Sequence, residues 1–217
     1  MDVGSGTTLT IDELVLRPWR PSDAPALLAV CQDPEIARWV TIPQPFLPAD
    51  ADAFIENSSS MWRDGTGAPF AIVDASTERL LGAVTRFGPD GHQATFGLWL
   101  APEARGRGVG TRALRLVADW TFDTTAAIRL DAYIMVGNEA SNRMTERAGF
   151  KREGIARAWD LHHDGVPVDC VVYARIRGDQ SPDETIRSGD EELAQVVRPA
   201  GVVETAQPPG ALDRPEQ

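Results

Sequence analysis

The sequence has few cysteines and no long apolar run. Only two of its 217 residues are cysteines, Cys31 and Cys170, and they form no CxxC pair. This pattern excludes a disulfide scaffold and a zinc ribbon. No apolar run reaches the roughly 18 residues that span a membrane, and the first residues lack the basic region of a secretory signal. We therefore expect a cytoplasmic protein without a membrane partner.

Positive charge is also scarce. Lys and Arg number 21 against 32 Asp and Glu, which leaves a net charge of −11. Such a chain repels a phosphate backbone, so nucleic acid is not expected as a partner. The adjacent His162 and His163 would point to opposite faces of a strand, and no Asp or His at a fixed spacing completes a metal site. We expect no metal.

Composition divides the chain into three parts. Beyond residue 178, nine acidic residues stand against three arginines, with five prolines and few large apolar side chains. Such a segment buries too little surface to offset its ordering entropy. We therefore expect a flexible N-terminus over residues 1–10, a folded domain over 11–178 and an acidic, flexible tail over 179–217.

Within the folded domain, strand and helix patterns alternate. Periodicity and turn signals predict an α+β fold with a mixed, mostly antiparallel twisted sheet of six to seven strands and about four flanking helices. Three of the strands are expected to form an antiparallel meander. The clearest strand patterns cover residues 14–17, 69–74, 80–87, 93–100, 128–134 and 168–176, and the helical patterns cover 24–32, 49–62, a segment from 109 and 141–148.

A glycine-rich loop follows the third meander strand and opens a helix. Glycines 106, 108 and 110 allow close approach of the backbone, and the first helical turn offers unpaired amides and a partial positive charge. A diphosphate fits such a loop, and Arg105 and Arg107 would add charge. The spacing is not the GxGxxG of a parallel dinucleotide-binding unit, and no GK[ST] is present. A further hypothesis is a nucleotide-binding protein that uses this glycine loop.

Two motifs resemble the GCN5-related N-acetyltransferase (GNAT) superfamily. The loop is similar to the family pattern [RQ]-x-x-G-x-[GA], and Asn138 followed by a helix ending in Gly149-Phe150 is similar to its second element. The segments 14–18 and 169–173 and Gly154 resemble the branch of ribosomal-protein N-terminal acetyltransferases. The resemblance covers about residues 11–177.

The resemblance implies an acyl-CoA N-acyltransferase fold, splayed between the family's strands four and five, here 93–100 and 128–134. Acetyl-CoA would wedge into the gap as acyl donor. Glycine at 97 predicts a strand bulge there. Asn138 also suits a helix N-cap, and Asn142 a solvated helix position. The implied cofactor-binding residues are Leu98, Trp99, Leu100, Arg105, Gly106, Arg107, Gly108, Val109, Gly110, Thr111, Asn138, Ser141 and Asn142.

Catalytic groups are harder to place. Relatives carry a glutamate where this chain has Thr95 and a tyrosine where it has Thr145. Ser141 and Tyr133 are candidate acids for the leaving thiolate, although Ser141 equally suits close packing. The first candidate base is Asp131, although its residue type and position favour a surface salt bridge, and the further candidates are His92, Asp160 and His162.

The resemblance predicts an acetyl-CoA-dependent N-acetyltransferase in which an amine attacks the thioester directly. The acceptor is a small cationic amine or a protein N-terminus, and its expected wall is Trp39, Phe46 and Trp159. A non-catalytic acyl-CoA-binding regulatory module is the alternative, suggested by Thr95 and Thr145. A homodimer is expected by analogy alone.

Overall fold

Eight strands form one sheet in the spatial order β1-β2-β3-β4-β5-β6-β8-β7 in a computed structural model that describes residues 7–162 and 164–179. The strands are β1 (Leu9–Ile11), β2 (Leu14–Pro18), β3 (Gly67–Asp74), β4 (Leu80–Phe87), β5 (Gln93–Leu100), β6 (Arg129–Met135), β7 (Lys151–Leu161) and β8 (Pro167–Ile176). The helices are α1 (Ala24–Val30), α2 (Pro34–Trp39), α3 (Pro48–Asp64), α4 (Val109–Thr124) and α5 (Glu139–Arg147). The predicted α+β fold is confirmed, with more strands and one more helix than expected.

Strand pairing is antiparallel except at one place. The predicted meander is β3–β4–β5, and β6–β8 and β7–β8 are also antiparallel. Among the described strands, β5 and β6 alone run parallel. A parallel neighbour requires a crossover connection, and α4 provides it. The helix that the glycine loop opens therefore begins at the end of β5 and returns the chain to the start of β6.

Three elements were not predicted. Strand β1 lies partly within the segment expected to be flexible, and it pairs with β2 from Leu9 onward. Strand β7 is an edge strand with mostly exposed side chains, so its sequence has no clear alternation. Helix α2 has only six residues, with Pro34 at its first position and Asp33 as its N-cap. The expected tail from residue 180 onward lies outside the described residues.

Helices cover both faces of the sheet. On one face, α4 packs against residues such as Phe70, Val84, Phe96 and Leu130 to form the larger apolar core. On the other face, α1 and the first half of α3 pack against β3 and β4, with Trp19 in this second core. Side chains of a strand alternate between the faces, so neighbouring residues of β5 belong to different cores.

A buried ion pair joins β2 to the start of α1. The Arg17 guanidinium donates to both carboxylate oxygens of Asp23, at 2.8 and 2.9 Å. The Arg20 amide also donates to Asp23, at 2.8 Å. Burial by itself would raise the pKa of Asp23, but these bonds outweigh it and hold the pKa below its usual value.

Replacing this carboxylate should destabilise the protein above pH 4. We expect Asp23→Asn to lower the free energy of unfolding by about 3 kcal/mol at pH 7, because Arg17 keeps a buried charge without its partner. The lowered pKa means that the pair stabilises the fold above the unfolded-state pKa near 4 and is lost as the pH falls through the folded-state pKa. Urea titrations at several pH values should show the difference between the two proteins shrinking below pH 4.

Glu78→Gln is the matched control, since Glu78 faces Arg20 at 3.4 Å with both side chains exposed. An exposed pair contributes less than about 1 kcal/mol. Equal destabilisation by the two substitutions would contradict the importance of the buried pair.

Candidate active site

The parallel pair β5–β6 parts halfway along its length. Residues 93–96 of β5 pair with 129–132 of β6, and the pairing ends at Phe96 and Ala132. Beyond that point β5 stays paired with β4 as far as Leu100, and β6 stays paired with β8 as far as Met135. The sheet therefore opens into a notch between Gly97–Leu100 and Tyr133–Met135, which is the splay that the sequence predicted.

The direction of the backbone groups along β5 decides which residues face the notch. The Ala101 amide donates to the Leu81 carbonyl of the β4 side at 2.9 Å. Backbone groups of alternate residues point the same way along an antiparallel pair. Trp99 thus directs its amide and carbonyl toward β4, whereas Leu98 and Leu100 direct theirs into the notch. The predicted bulge at Gly97 is wrong, because the β4–β5 register runs unbroken through it.

A cleft of about 920 Å³ passes through the notch and reaches both faces of the sheet. On the face of the larger core it is lined by Leu98, Leu100 and Val109. On the opposite face it is lined by Phe46 and Trp99 of the second core. Two reactants can therefore enter from opposite faces of the sheet and meet where the strands part.

The glycine loop lies at the mouth of this cleft. Gly106 and Gly108 have φ angles of 71° and 74°, and Gly108 is the N-cap of α4. Left-handed backbone of this kind is costly for residues with a Cβ. The amides of the first turn have no intrahelical acceptors, and with the helix dipole they suit an anion. The cleft-lining residues here are Gly106, Gly108, Val109, Gly110 and Thr111.

The sequence predicted that Arg105 and Arg107 add positive charge for a diphosphate at the loop, and the structure places the two side chains differently. Arg105 lines the cleft, but its guanidinium is engaged by the Leu100 carbonyl, at 3.1 and 3.2 Å, and by the Asp33 carboxylate. It thereby ties the loop to the N-cap of α2. Arg107 is exposed, donates to the Glu103 carbonyl at 3.4 Å, and does not line the cleft. Of the two arginines, Arg105 alone lines the cleft, and its guanidinium is already engaged.

Helix α5 forms another wall of the cleft. Asn138 is its N-cap, and the Asn138 side-chain oxygen accepts a hydrogen bond from the Ser141 amide at 3.1 Å, as expected for a cap. Asn138 also lines the cleft. Ser141 and Thr145 also line the cleft, and the buried Thr145 hydroxyl has no hydrogen-bond partner in the described part of the chain. Asn142 instead lines a separate cavity of about 340 Å³ between α5 and β8.

Asp131 does not reach the cleft. Its side chain is fully buried, 2.6 Å from the Arg129 guanidinium, and it accepts a bond from the Gln93 amide at 2.7 Å. Burial within this cluster corrects the expectation that Asp131 is the first candidate for the base. Of the other candidates, His92 and His162 do not line the cleft, whereas Asp160 does.

Tyr133 lies at the edge of the notch beneath a tryptophan. Its ring stacks on Trp159, with 4.2 Å between the centroids and 14° between the planes. Between Ala156 and Asp160 the β7–β8 register shifts, and Ala158 within this bulge has a φ of 47°. The bulge brings Trp159 over Tyr133, although Trp159 itself does not line the cleft. Desolvation raises the pKa of Tyr133, and the nearby Asp131 charge raises it further, so the phenol is protonated at neutral pH.

The face opposite the glycine loop is aromatic and acidic. Trp39 and Phe46 line the cleft there, as the sequence predicted for an acceptor wall. Three carboxylates that sequence reasoning mostly missed line it too: Glu35, Asp50 and Asp160. A hydrogen bond of 3.1 Å from the Thr41 hydroxyl to the Leu161 carbonyl joins the segment after α2 to the end of β7. This bond links the α2 side of the aromatic and acidic face to its β7 side.

Sequence reasoning also missed Arg143 and Arg147, which line the cleft from α5. Their spacing of four residues places them on one face of a helix, and this spacing was the sequence signal that could have found them.

No helix of the described residues has the length and apolarity to cross a membrane. Nor do three His, Cys, Asp or Glu side chains of that part of the chain lie close enough to hold a metal ion.

A parted parallel strand pair with a helix N-terminus at its mouth is the architecture of an acyl-CoA-dependent acyltransferase. Comparison with known proteins specifies the family. A family model described as the acetyltransferase (GNAT) domain matches residues 13–151. The chain belongs to this family, and its activity is that of an acetyl-CoA-dependent N-acetyltransferase.

Individual relatives agree with this assignment. YoaA of Bacillus subtilis (strain 168), an uncharacterized N-acetyltransferase, is 25% identical over 171 residues, which cover 78% of this chain and 96% of YoaA. The microcin C7 self-immunity acetyltransferase MccE, solved with acetyl-CoA and AMP, has a TM-score of 0.70 and 23% identity over 76% of this chain and 93% of its own. RimL, a ribosomal L7/L12 alpha-N-protein acetyltransferase, has a TM-score of 0.71 and 20% identity over 79% and 94%. The two structures establish the shared fold.

The left-handed glycine at the start of α4 provides a test of the loop. We expect Gly108→Val to weaken CoA binding by at least about tenfold, because a β-branched residue strains this backbone and stands where a diphosphate must approach. Isothermal titration calorimetry with CoA measures the change.

Gly154→Val is the control, since a Cβ there meets no atom within 4 Å and the φ is not left-handed. It should leave CoA affinity unaltered. A folded Gly108→Val variant with native affinity would show that the diphosphate does not bind at this loop.

Proposed function

We propose that acetyl-CoA enters from the face of α4 and α5 and that a peptide N-terminus enters from the opposite face. The observation that carries this proposal is the parting of β5 and β6 beyond Phe96, directly beside the N-terminus of α4. The loop amides bind the diphosphate. The pantetheine arm pairs with the backbone groups of Leu98 and with the Leu100 amide, as an added strand would, while the Leu100 carbonyl stays bonded to Arg105.

The choice of acceptor rests on the charge and shape of the opposite face. Glu35, Asp50 and Asp160 line it beside Trp39 and Phe46, and carboxylates around an aromatic wall favour a cationic group. A peptide N-terminus is a cation that must lose one proton before it attacks. The fold shared with RimL, whose acceptor is a protein α-amine according to its name, supports a peptide over a free polyamine.

The reaction is assigned a base for the ammonium group and an acid for the leaving thiolate. Asp160 is the proposed base, acting directly or through water, and it accepts a proton from the ammonium group. The freed amine attacks the thioester carbonyl carbon and a C–N bond forms. The nitrogen loses its second proton to water, and the C–S bond breaks as its electron pair leaves on sulfur. The thiolate takes a proton from Tyr133 or from Ser141, and that side chain is reprotonated from water. Peptide amide and CoA thiol are the products.

The non-catalytic alternative is not favoured. Its motivation is the replacement of two catalytic positions by Thr95 and Thr145. The cleft has other groups suited to proton transfer, namely Tyr133, Ser141 and Asp160. Close placement of donor and acceptor in a ternary complex also contributes much of the acceleration without a dedicated side chain.

A thiol-release assay tests the acceptor and the base. We expect turnover with short peptides that have a free N-terminus and none with the same peptides after N-terminal blocking. Asp160→Asn should lower kcat/KM by about 10²-fold near pH 7 and by much less near pH 9, where a terminal amine with a pKa near 8 is already deprotonated.

Asp131→Asn is the matched comparison for the base. If this variant, and not Asp160→Asn, lost activity only at neutral pH, the buried carboxylate would be the base after all. Binding of acetyl-CoA without turnover on any peptide, polyamine or aminoglycoside would support the regulatory module. Tight binding of ADP without binding of CoA would support a nucleotide-binding protein.

Removing the phenol identifies the acid. We expect Tyr133→Phe to lower kcat by about tenfold or more with little change in KM for acetyl-CoA, because the proton is needed at the departing sulfur. Ser141→Ala is measured in parallel. A larger fall in kcat for Ser141→Ala would reassign the acid to the serine, and native kcat in both variants would show that the thiolate leaves unassisted.

A further inference from the structure

Two arginines of α5 line the cleft without an ionic partner. Arg143 and Arg147 are one helical turn apart, and both are exposed. Neither guanidinium makes an ion pair or hydrogen bond within the described residues. The contrast is with Arg105, which also lines the cleft but is held by Asp33 and the Leu100 carbonyl. The open guanidinium groups of the cleft are therefore on α5.

The packing of α5 on α4 brings these arginines close to the glycine loop. A Cβ on Gly110, in the first turn of α4, would lie 2.5 Å from the Met144 sulfur. The Met144 side chain thus packs on Gly110, so the middle of α5 lies directly against the first turn of α4. Met144 is adjacent in sequence to Arg143 and three residues before Arg147. Arg143 and Arg147 therefore line the cleft from a helix that packs against the first turn of α4.

The local charge is opposite to that of the whole protein. The chain has a net charge of −11, and the acceptor face of the cleft has three carboxylates. Two unpaired cations at the mouth repel each other unless an anion lies between them. The guanidinium fork suits a phosphate, since it donates two parallel hydrogen bonds to phosphate oxygens.

Coenzyme A has one phosphomonoester, on the ribose 3′-hydroxyl, separated from the diphosphate by a single ribose. We infer that Arg143 and Arg147 bind this 3′-phosphate and so select CoA over its dephosphorylated form. The inference rests on the proposed function, because it requires the diphosphate at the first turn of α4. A phosphomonoester has about two negative charges near neutral pH, which matches the two guanidinium groups.

Comparison of CoA with dephospho-CoA tests the inference. We expect isothermal titration calorimetry to show that the native protein binds CoA about 10- to 100-fold more tightly than dephospho-CoA, the range for hydrogen bonds between charged groups. In the double variant Arg143→Gln/Arg147→Gln, the two ligands should bind with equal affinity, close to that of the native protein for dephospho-CoA. The preference should also shrink at high salt, since the sites are exposed.

Two controls accompany the double variant. Arg79→Gln removes an exposed arginine in the turn between β3 and β4, away from the cleft, and should keep the native preference. Arg143→Lys/Arg147→Lys retains the charge without the fork and should keep part of the preference. Circular dichroism and thermal melting establish that each variant is folded.

The outcomes distinguish a failure of this inference from a failure of the proposed function. Equal affinity of the native protein for both ligands would overturn the inference and leave CoA binding intact. A preference that persists in the double glutamine variant would show that other residues bind the 3′-phosphate. Failure of the native protein to bind either ligand would overturn the proposed function itself.

Discussion

The function of this protein depends on one interruption in its hydrogen bonding. Strands β5 and β6 pair through Phe96 and then part, and each remains fixed on its other side by an antiparallel neighbour. A parted edge inside a sheet leaves backbone donors and acceptors that require partners. The crossover helix α4 begins at this same edge, so the N-terminus of a helix and the parted edge of a strand lie side by side.

The cleft through this opening separates charge between the faces of the sheet. Arg143 and Arg147 line it near the first turn of α4, whereas Glu35, Asp50 and Asp160 line it on the opposite face. In the proposed arrangement, each reactant meets charge of the opposite sign on its own face. Desolvation and the charge of the buried Asp131 both raise the pKa of Tyr133.

Predictions from sequence succeeded where the determinant was local. The glycine loop, the capping position of Asn138 and the meander each depend on a few consecutive residues. They failed where distant segments decide the outcome. Asp131 and Asp160 are both acids on strands, but burial beside Arg129 removes the first from the cleft, and the bulge in β7 places the second within it. Edge strand β7 itself shows no alternation, since most of its side chains are exposed.

The family, the mixed sheet and the glycine loop at the start of α4 could be predicted from the sequence, because backbone conformation at glycines and helix starts is a property of short segments. The face that each side chain occupies, and the charges that stay unpaired, depend on tertiary packing. Arg105 and Arg143 are alike in the sequence as exposed arginines near a motif. Asp33 neutralises the first, and the contact of Met144 with Gly110 positions the second at the mouth of the cleft. Such differences arise from contacts between residues far apart in the chain, and no local pattern records them.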